Sequence, residues 1–355
     1  MTSSPLTPPS VPAAGRVLFW VGTYTGDAGA AGIGIESIAH GADGEWLSRG
    51  LAVAADSPSF LAVHPKLPVV YAVHEFARTV SAYARDGETA LTALGDSWPT
   101  GDAGCHVAVD PEGRFLVVAC WGDGSVILFG LDAFGRIASR QEAPRARDPY
   151  ARTDGDSRPS RAHASLMLGG DRLMTTDLGF DLVRVWRYEP EHGLVHDHEI
   201  VLPEGSGPRH LALHSSGRVY VDTEYSNEVA VLEPSADGRY RLAGVGPATY
   251  GGAQTGDAAS EIALSADGRF AYVGVRGSNR IGTLAIGEDG AARPIADSPS
   301  GGDWPRHLAV GDGVLLVANQ RSGGVAVLPI DAQTGIPGPV VEAVGIAAPT
   351  AVISA

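Results

Sequence analysis

Residues 207–233 read GPRHLALHSSGRVYVDTEYSNEVAVLE. The stretch parses as a short alternating strand, HLALH, a turn, HSSGR, an apolar strand, RVYVDT, and a third strand opening at Val229. Five other stretches repeat it: SPSFLAVHPKLPVVYAV (57–73), AGCHVAVDPEGRFLVVAC (103–120), SRAHASLMLGGDRLMTTD (160–177), ASEIALSADGRFAYVGV (259–275) and WPRHLAVGDGVLLVAN (304–319). Stacked, the six place Phe60, His106, His163, His210, Glu261 and His307 in one column, at steps of 46, 57, 47, 51 and 46 residues. A repeat of that period built from short strands specifies a β-propeller, with one four-stranded antiparallel blade per unit. Gly113, Gly170, Gly217 and Gly268 each fall seven residues after their column residue, where a hairpin calls for a left-handed conformation.

The two chain ends supply one more blade. AAPTAVIS (347–354) reads as a first strand with nothing after it, and it puts Thr350 in the column. RVLFWVGTYT (16–25) reads as a second strand with no first strand before it. Joined, they predict an all-β, seven-bladed β-propeller over residues 16–355, its ring closed by the C-terminal strand pairing with the N-terminal blade. Closure removes two free strand edges. Residues 1–15, MTSSPLTPPSVPAAG, lack the basic start and apolar stretch of a signal peptide and read as a disordered tail.

Composition narrows the function classes. A net charge of −15 argues against nucleic acid or an anionic membrane surface as partner. No apolar run reaches the length of roughly 18 residues that a membrane span needs. Lys66 is the only lysine, so almost all positive charge sits on arginine, the better residue for gripping a carboxylate or phosphate with a planar fork. Cys105 and Cys120 flank one hairpin and do not suggest a secreted disulfide framework. The expected setting is cytoplasmic. The expected state is a monomer or weak homo-oligomer, because a closed propeller needs no partner for stability.

The propeller frame locates a site. Its first strands line the central channel, so the column residues gather at one mouth. The ends of the second strands return to that mouth, bringing Tyr24, Glu75, Trp121, Asp177, Glu224, Arg276 and Gln320 within one position. The residue before the column adds Arg209 and Arg306. His106, His163, His210, His307, Arg209, Arg276, Arg306, Glu75, Glu224 and Glu261 therefore converge. Buried charge is rare without a partner, and a crowd of it at a funnel end marks a candidate site.

RVLFWVGTYT, GPRHLALHSSGRVYVDTEYSNEVAVLE, ASEIALSADGRFAYVGVRGSNRI and PRHLAVGDGVLLVANQRSGGVAVLPID closely resemble the seven-bladed lactonase family, across nearly all of residues 16–355. That family includes bacterial 6-phosphogluconolactonase of the propeller type and fungal carboxymuconate cyclase. The resemblance implies catalytic roles for His163, Arg209 of GPRH, Glu224 of DTEYSN and Arg276 of VRGSN. The chain departs from the family in the third blade: where a His-x-His-Ser pattern is frequent, it has Arg161-Ala162-His163-Ala164. The extra guanidinium of Arg161 suits a more anionic ligand.

Opening a lactone needs a base to activate water and a cation for the developing oxyanion. His163 or Glu224 fits the first role; Arg209 and Arg276 fit the second. His210, Arg306, His307, Glu261, His106, Glu75, Gln320 and Arg161 are the expected substrate-binding groups. No metal or other cofactor is called for, and the expected partner is a small anionic lactone or sugar-acid. Two other functions share the frame: a muconate-type lactonizing cycloisomerase, and a non-catalytic binding module. Structural roles stand beside the functional ones. The column histidines would serve as hydrogen-bonded plugs, Glu261 as a partner of Arg306 or Arg276, and Arg209–Glu224 as an ion pair. The arginine-rich stretch 136–161 reads as a basic flap or as a solvated loop between blades.

Overall fold

The computed structural model describes residues 17–41, 43–152, 157–311 and 313–355. The expected tail, residues 1–15, lies outside them. Seven antiparallel sheets succeed one another around a channel. We number the blades from the first sequence repeat. The innermost strands run Pro58–Val63, Gly104–Val109, Ala162–Gly169, Pro208–Leu213, Ala258–Leu264 and Pro305–Gly311 for blades one to six. In the seventh blade, Pro349–Ser354 forms the innermost strand and pairs antiparallel with Val17–Thr23, matching Trp20 to Ile353 and Val21 to Val352. Each innermost strand packs on the next, and Pro349–Ser354 on Pro58–Val63 closes the circle.

Apolar packing lies between blades. Tyr71, Leu116, Phe129 and Val73 bury together where blades one and two meet, and Phe115, Leu173 and Trp186 do so between blades two and three. Tyrosines on second strands tie neighbours: the Tyr71 hydroxyl donates to the Gly135 carbonyl at 2.8 Å, and Tyr220 to Gly290 at 2.8 Å. Hydroxyls that reach a carbonyl in this way satisfy polar groups the interface would otherwise strand.

Every innermost strand carries a β-bulge near its start. Pro58 faces His74 and Phe60 faces Val73, leaving Ser59 over. The same count leaves over Cys105, Ser260, Arg306 and Thr350. Homologous irregularities fall at Arg209–His210 and His163–Ala164. A bulge turns two successive side chains to the same side of the sheet. The channel is therefore lined at two levels, an upper ring of bulged residues and a lower ring of the residues after them.

This register corrects the column at two places. In the seventh blade Ala351 faces Gly22, as His106 faces Ala119 and His307 faces Ala318. Ala351 thus holds the lower level and Thr350 the upper. In the third blade Ala162 faces Asp177, as Gly104 faces Cys120 and Pro208 faces Thr223. His163 is accordingly the counterpart of Cys105 and Arg209, and Ala164 that of His106 and His210. The cause is a shorter hairpin. Gly169 pairs with Arg172 across Gly170 and Asp171, so Gly170 sits seven residues after the wrong ring. The lower ring reads Phe60, His106, Ala164, His210, Glu261, His307, Ala351; the upper reads Ser59, Cys105, His163, Arg209, Ser260, Arg306, Thr350.

Candidate active site at the channel mouth

The second strands end beside the upper ring and contribute Tyr24, Glu75, Trp121, Leu178, Glu224, Arg276 and Gln320 at equivalent positions. A cavity of about 200 Å³ opens at this mouth, lined by Tyr24, Glu75, Cys105, Trp121, His163, Arg209, Glu224, Arg276 and Arg306. All of these belong to the upper ring or to the second-strand ends. Wider clefts of about 550 and 330 Å³ lie at hairpin turns around His214 and Phe270, but they gather no comparable set of charges.

Three guanidiniums and two carboxylates line the cavity. Glu224 Oε2 lies 3.0 Å from Arg209 Nε and 2.9 Å from Arg276 Nη2. The Arg209 contact is off the N–H axis, so Arg209 Nε and Nη1 are both buried without a hydrogen-bond acceptor. Arg276 also donates to the carbonyls of Ala258 and Ala259, at 3.2 and 3.0 Å. Burial, reinforced by Arg209, lowers its pKa to about 10, so it stays cationic at neutral pH. On the facing wall Glu75 Oε2 accepts the Tyr24 hydroxyl at 2.9 Å and lies 3.6 Å from Arg306 Nη2. Gln320 stands behind Arg306, its Oε1 at 3.4 Å from Nη1.

His163 is the one imidazole in the cavity wall. Its Nδ1 is buried with no hydrogen-bond partner. Burial, then the neighbouring Arg209, holds its pKa well below the usual imidazole range, so the ring is neutral at pH 7. Cys105 reaches the same wall; its thiol donates to the His163 carbonyl at 3.3 Å, and burial pushes its pKa up. It is a protonated neighbour rather than a nucleophile. Both cysteines are free.

The lower ring seals the channel beneath. His210 Nδ1 lies 2.6 Å and His307 Nε2 3.2 Å from Glu261 Oε2. His106 Nδ1 faces the Ser165 amide at 3.3 Å, and His307 Nδ1 faces the Val352 amide at 3.4 Å. Phe60 packs on His106 with ring centroids 4.1 Å apart, and His210 lies 5.2 Å from His163. The structure therefore does not bring His106, His210, Glu261 or His307 to the cavity wall. It pairs Glu261 with histidines, not with Arg306 or Arg276, because the bulge puts Arg306 a level higher and Arg276 sits at the second-strand end beside that upper ring.

Further expectations also resolve. Asp177 does not face the cavity; it accepts amides of Arg161, Gly179 and Phe180 at 2.8–3.1 Å and anchors a turn, while Leu178 takes the mouth position. The arginine-rich stretch divides. Ile137–Glu142 is the outer strand of blade two. Arg145 pairs with Glu142, Arg152 with Glu204, and Arg158 with Asp148 and Asp181. With Arg140 on Glu142, these ion pairs engage four of its seven arginines, so the stretch is not a free basic flap. Arg161 alone reaches the mouth, stacked 3.8 Å above the Trp121 ring. Sequence reasoning missed Cys105 as a lining residue and Asp222 behind the site. Cys105 was legible, since it precedes its ring residue as Arg209 and Arg306 precede theirs. Asp222 is fully buried; its Oδ1 accepts the His210 amide at 2.7 Å, and burial pushes its pKa up to about 7.

Fold and site together define a seven-bladed propeller with a cationic cavity at one end of its channel. The chain belongs to the family described as Lactonase, 7-bladed beta-propeller, whose model matches residues 18–354. It is similar to the 6-phosphogluconolactonase of Bacillus subtilis (strain 168), with 28% identity over 333 residues, covering 90% of this chain and 93% of that protein. It also resembles the solved structure of the periplasmic gluconolactonase PpgL of Pseudomonas aeruginosa, at 28% identity and a TM-score of 0.84, covering 95% of this chain and 98% of that one. A Lactobacillus plantarum protein shares the fold, with a TM-score of 0.86 at 23% identity over 96% of this chain and 99% of that one.

Proposed function

We propose that the protein hydrolyses a sugar-acid lactone of the 6-phosphogluconolactone type, with His163 as general base and Arg209 and Arg276 as the oxyanion and carboxylate clamp. The observation that carries this reading is a neutral, unpartnered His163 beside the unpartnered donors of Arg209 in one cavity. Buried polar atoms left without partners call for an explanation, and a reacting ligand supplies one.

The His163 imidazole takes a proton from water, and the hydroxide adds to the lactone carbonyl carbon. The carbonyl oxygen becomes an oxyanion beside Arg209 and Arg276, whose fixed charge is already in place. The ring C–O bond then breaks, and the departing alkoxide takes the proton back from the His163 imidazolium. The product acid loses its proton to solvent, and the carboxylate stays opposite the arginines until release. Glu224, held between two guanidiniums, positions them. Each step uses side chains of this chain alone. The free thiols of Cys105 and Cys120 support a reducing, cytoplasmic setting.

Steady-state kinetics of His163→Ala and Arg209→Ala on 6-phosphogluconolactone test the assignment, with spontaneous opening subtracted. Loss of the base should lower kcat/KM by about 10²–10⁴ and loss of the guanidinium by about 10²–10³. Wild-type rates in both variants would sink this site.

A further inference from the structure

We propose that Arg321, stacked on Trp304 at the rim, forms an outer anion subsite that takes a phosphate or carboxylate group remote from the lactone carbonyl. The inference rests on the lactonase reading and assigns the cavity its second anchor. The Arg321 guanidinium lies 3.4 Å above the Trp304 ring, and Arg276 of the cavity lies over the same ring at 5.4 Å. One indole therefore joins an inner guanidinium to an outer, exposed one. Among the described residues Arg321 has no carboxylate within ion-pair reach. Asp303, its neighbour in space through the Arg321 amide, is engaged by Asn279 Nδ2 at 2.8 Å.

The backbone under Trp304 gives a second, independent sign. The residue just before the innermost strand has a positive φ in five blades: Ser57, Ala103, Gly207, Trp304 and Ala348. Only Gly207 of these lacks the Cβ that a left-handed conformation crowds; Trp304, at φ 68°, is the bulkiest side chain to take it. It is held there by Asn279 Oδ1, which accepts its amide at 2.9 Å, and by the Gln320 amide, which donates to its carbonyl at 3.0 Å. Strain that the surroundings enforce is characteristic of functional positions. Here it lays a flat ring beneath Arg321. Stacking fixes the guanidinium plane and leaves its N–H edge free to meet an oxyanion two-pronged. Arg161 on Trp121 forms a similar stack, on blades two and three rather than blades five and six. Only Arg321 shares its indole with a cavity arginine.

The test compares 6-phosphogluconolactone with D-glucono-1,5-lactone, which lacks the remote anion, for wild type, Arg321→Ala, Arg161→Ala and Arg293→Ala. Arg293 removes the same charge from an exposed outer strand away from the mouth. Arg321→Ala should lower the preference for the phosphorylated lactone, as a ratio of kcat/KM values, about tenfold, mostly through KM; Arg293→Ala should leave that ratio alone. Calorimetry with 6-phosphogluconate, glucarate and gluconate reads the subsite without turnover. Tighter binding of the first two than of gluconate, lost in Arg321→Ala, supports it, and their order tells phosphate from carboxylate. An unchanged ratio and unchanged binding in Arg321→Ala, or a loss confined to Arg161→Ala, overturns it. If wild type opens no lactone, the lactonase reading fails, while calorimetry still decides whether Arg321 holds an anion.

Discussion

A buried imidazole nitrogen without a partner costs folding free energy unless a ligand uses the ring. His163 carries that cost at the floor of a cavity whose other groups are charged. Its suppressed basicity has a kinetic consequence. The base is active when neutral, and its pKa lies well below the usual 6.5, mainly through burial and Arg209. The kcat/KM of the lactonase should then hold steady from pH 8 down through 6.5 and fall only in more acidic solution. A pH–rate profile with its acid limb centred at 6.5 or above would contradict a base in this environment. Glu224→Gln tests the clamp: the neutral amide leaves Arg209 and Arg276 facing each other uncompensated. We expect KM and kcat both to worsen, with kcat/KM down about tenfold or more.

At the scale of the strand, the bulge organises the site. Without it the residue before the lower ring would point into the blade interface, and His163, Arg209, Arg306 and Cys105 would leave the cavity. The strand pattern and the closure between 349–354 and the N-terminal strand were legible, because alternation and glycine spacing report directly on pleat and turn. The level of each side chain was not. A bulge adds one residue without changing alternation on either side, and the short hairpin at Gly170 hid the shift in the third blade. His163 was thus placed one ring too low, and Thr350 shared that error. The closing strand also sets stability. Ala351 and Val352 are fully buried, and among the described residues Val17–Thr23 has no other inner partner. Deleting 349–355 should replace the cooperative thermal transition by a broad, aggregation-prone one; an unchanged melting temperature would refute the closure's importance.

For the molecule as a whole, the sealed lower ring couples stability to pH. His106 and His210 are held well below 6.5 chiefly by burial, as His163 is, and His307 falls to about 4. The unfolded chain takes up protons that the folded one refuses, so the stability these histidines contribute above pH 6.5 is lost as pH falls toward 4. Asp222 and Glu261 act in the opposite sense, since burial raises both and the fold retains their protons as pH climbs from about 4. The histidines are the more numerous set, so acidification from pH 6.5 to 5 should lower the melting temperature, and His106→Phe should shallow that slope. A melting temperature that is flat or rises over this range would mean that the lower ring titrates in place.

The central claim is that the channel mouth opens lactones. The most direct measurement is the initial rate of acid release from 6-phosphogluconolactone at neutral pH, with purified full-length protein and the spontaneous rate subtracted, run beside His163→Ala. The account predicts catalysed hydrolysis proportional to wild-type enzyme and nearly abolished in the variant. A wild-type rate equal to the spontaneous one, with this lactone and with D-glucono-1,5-lactone alike, would contradict it.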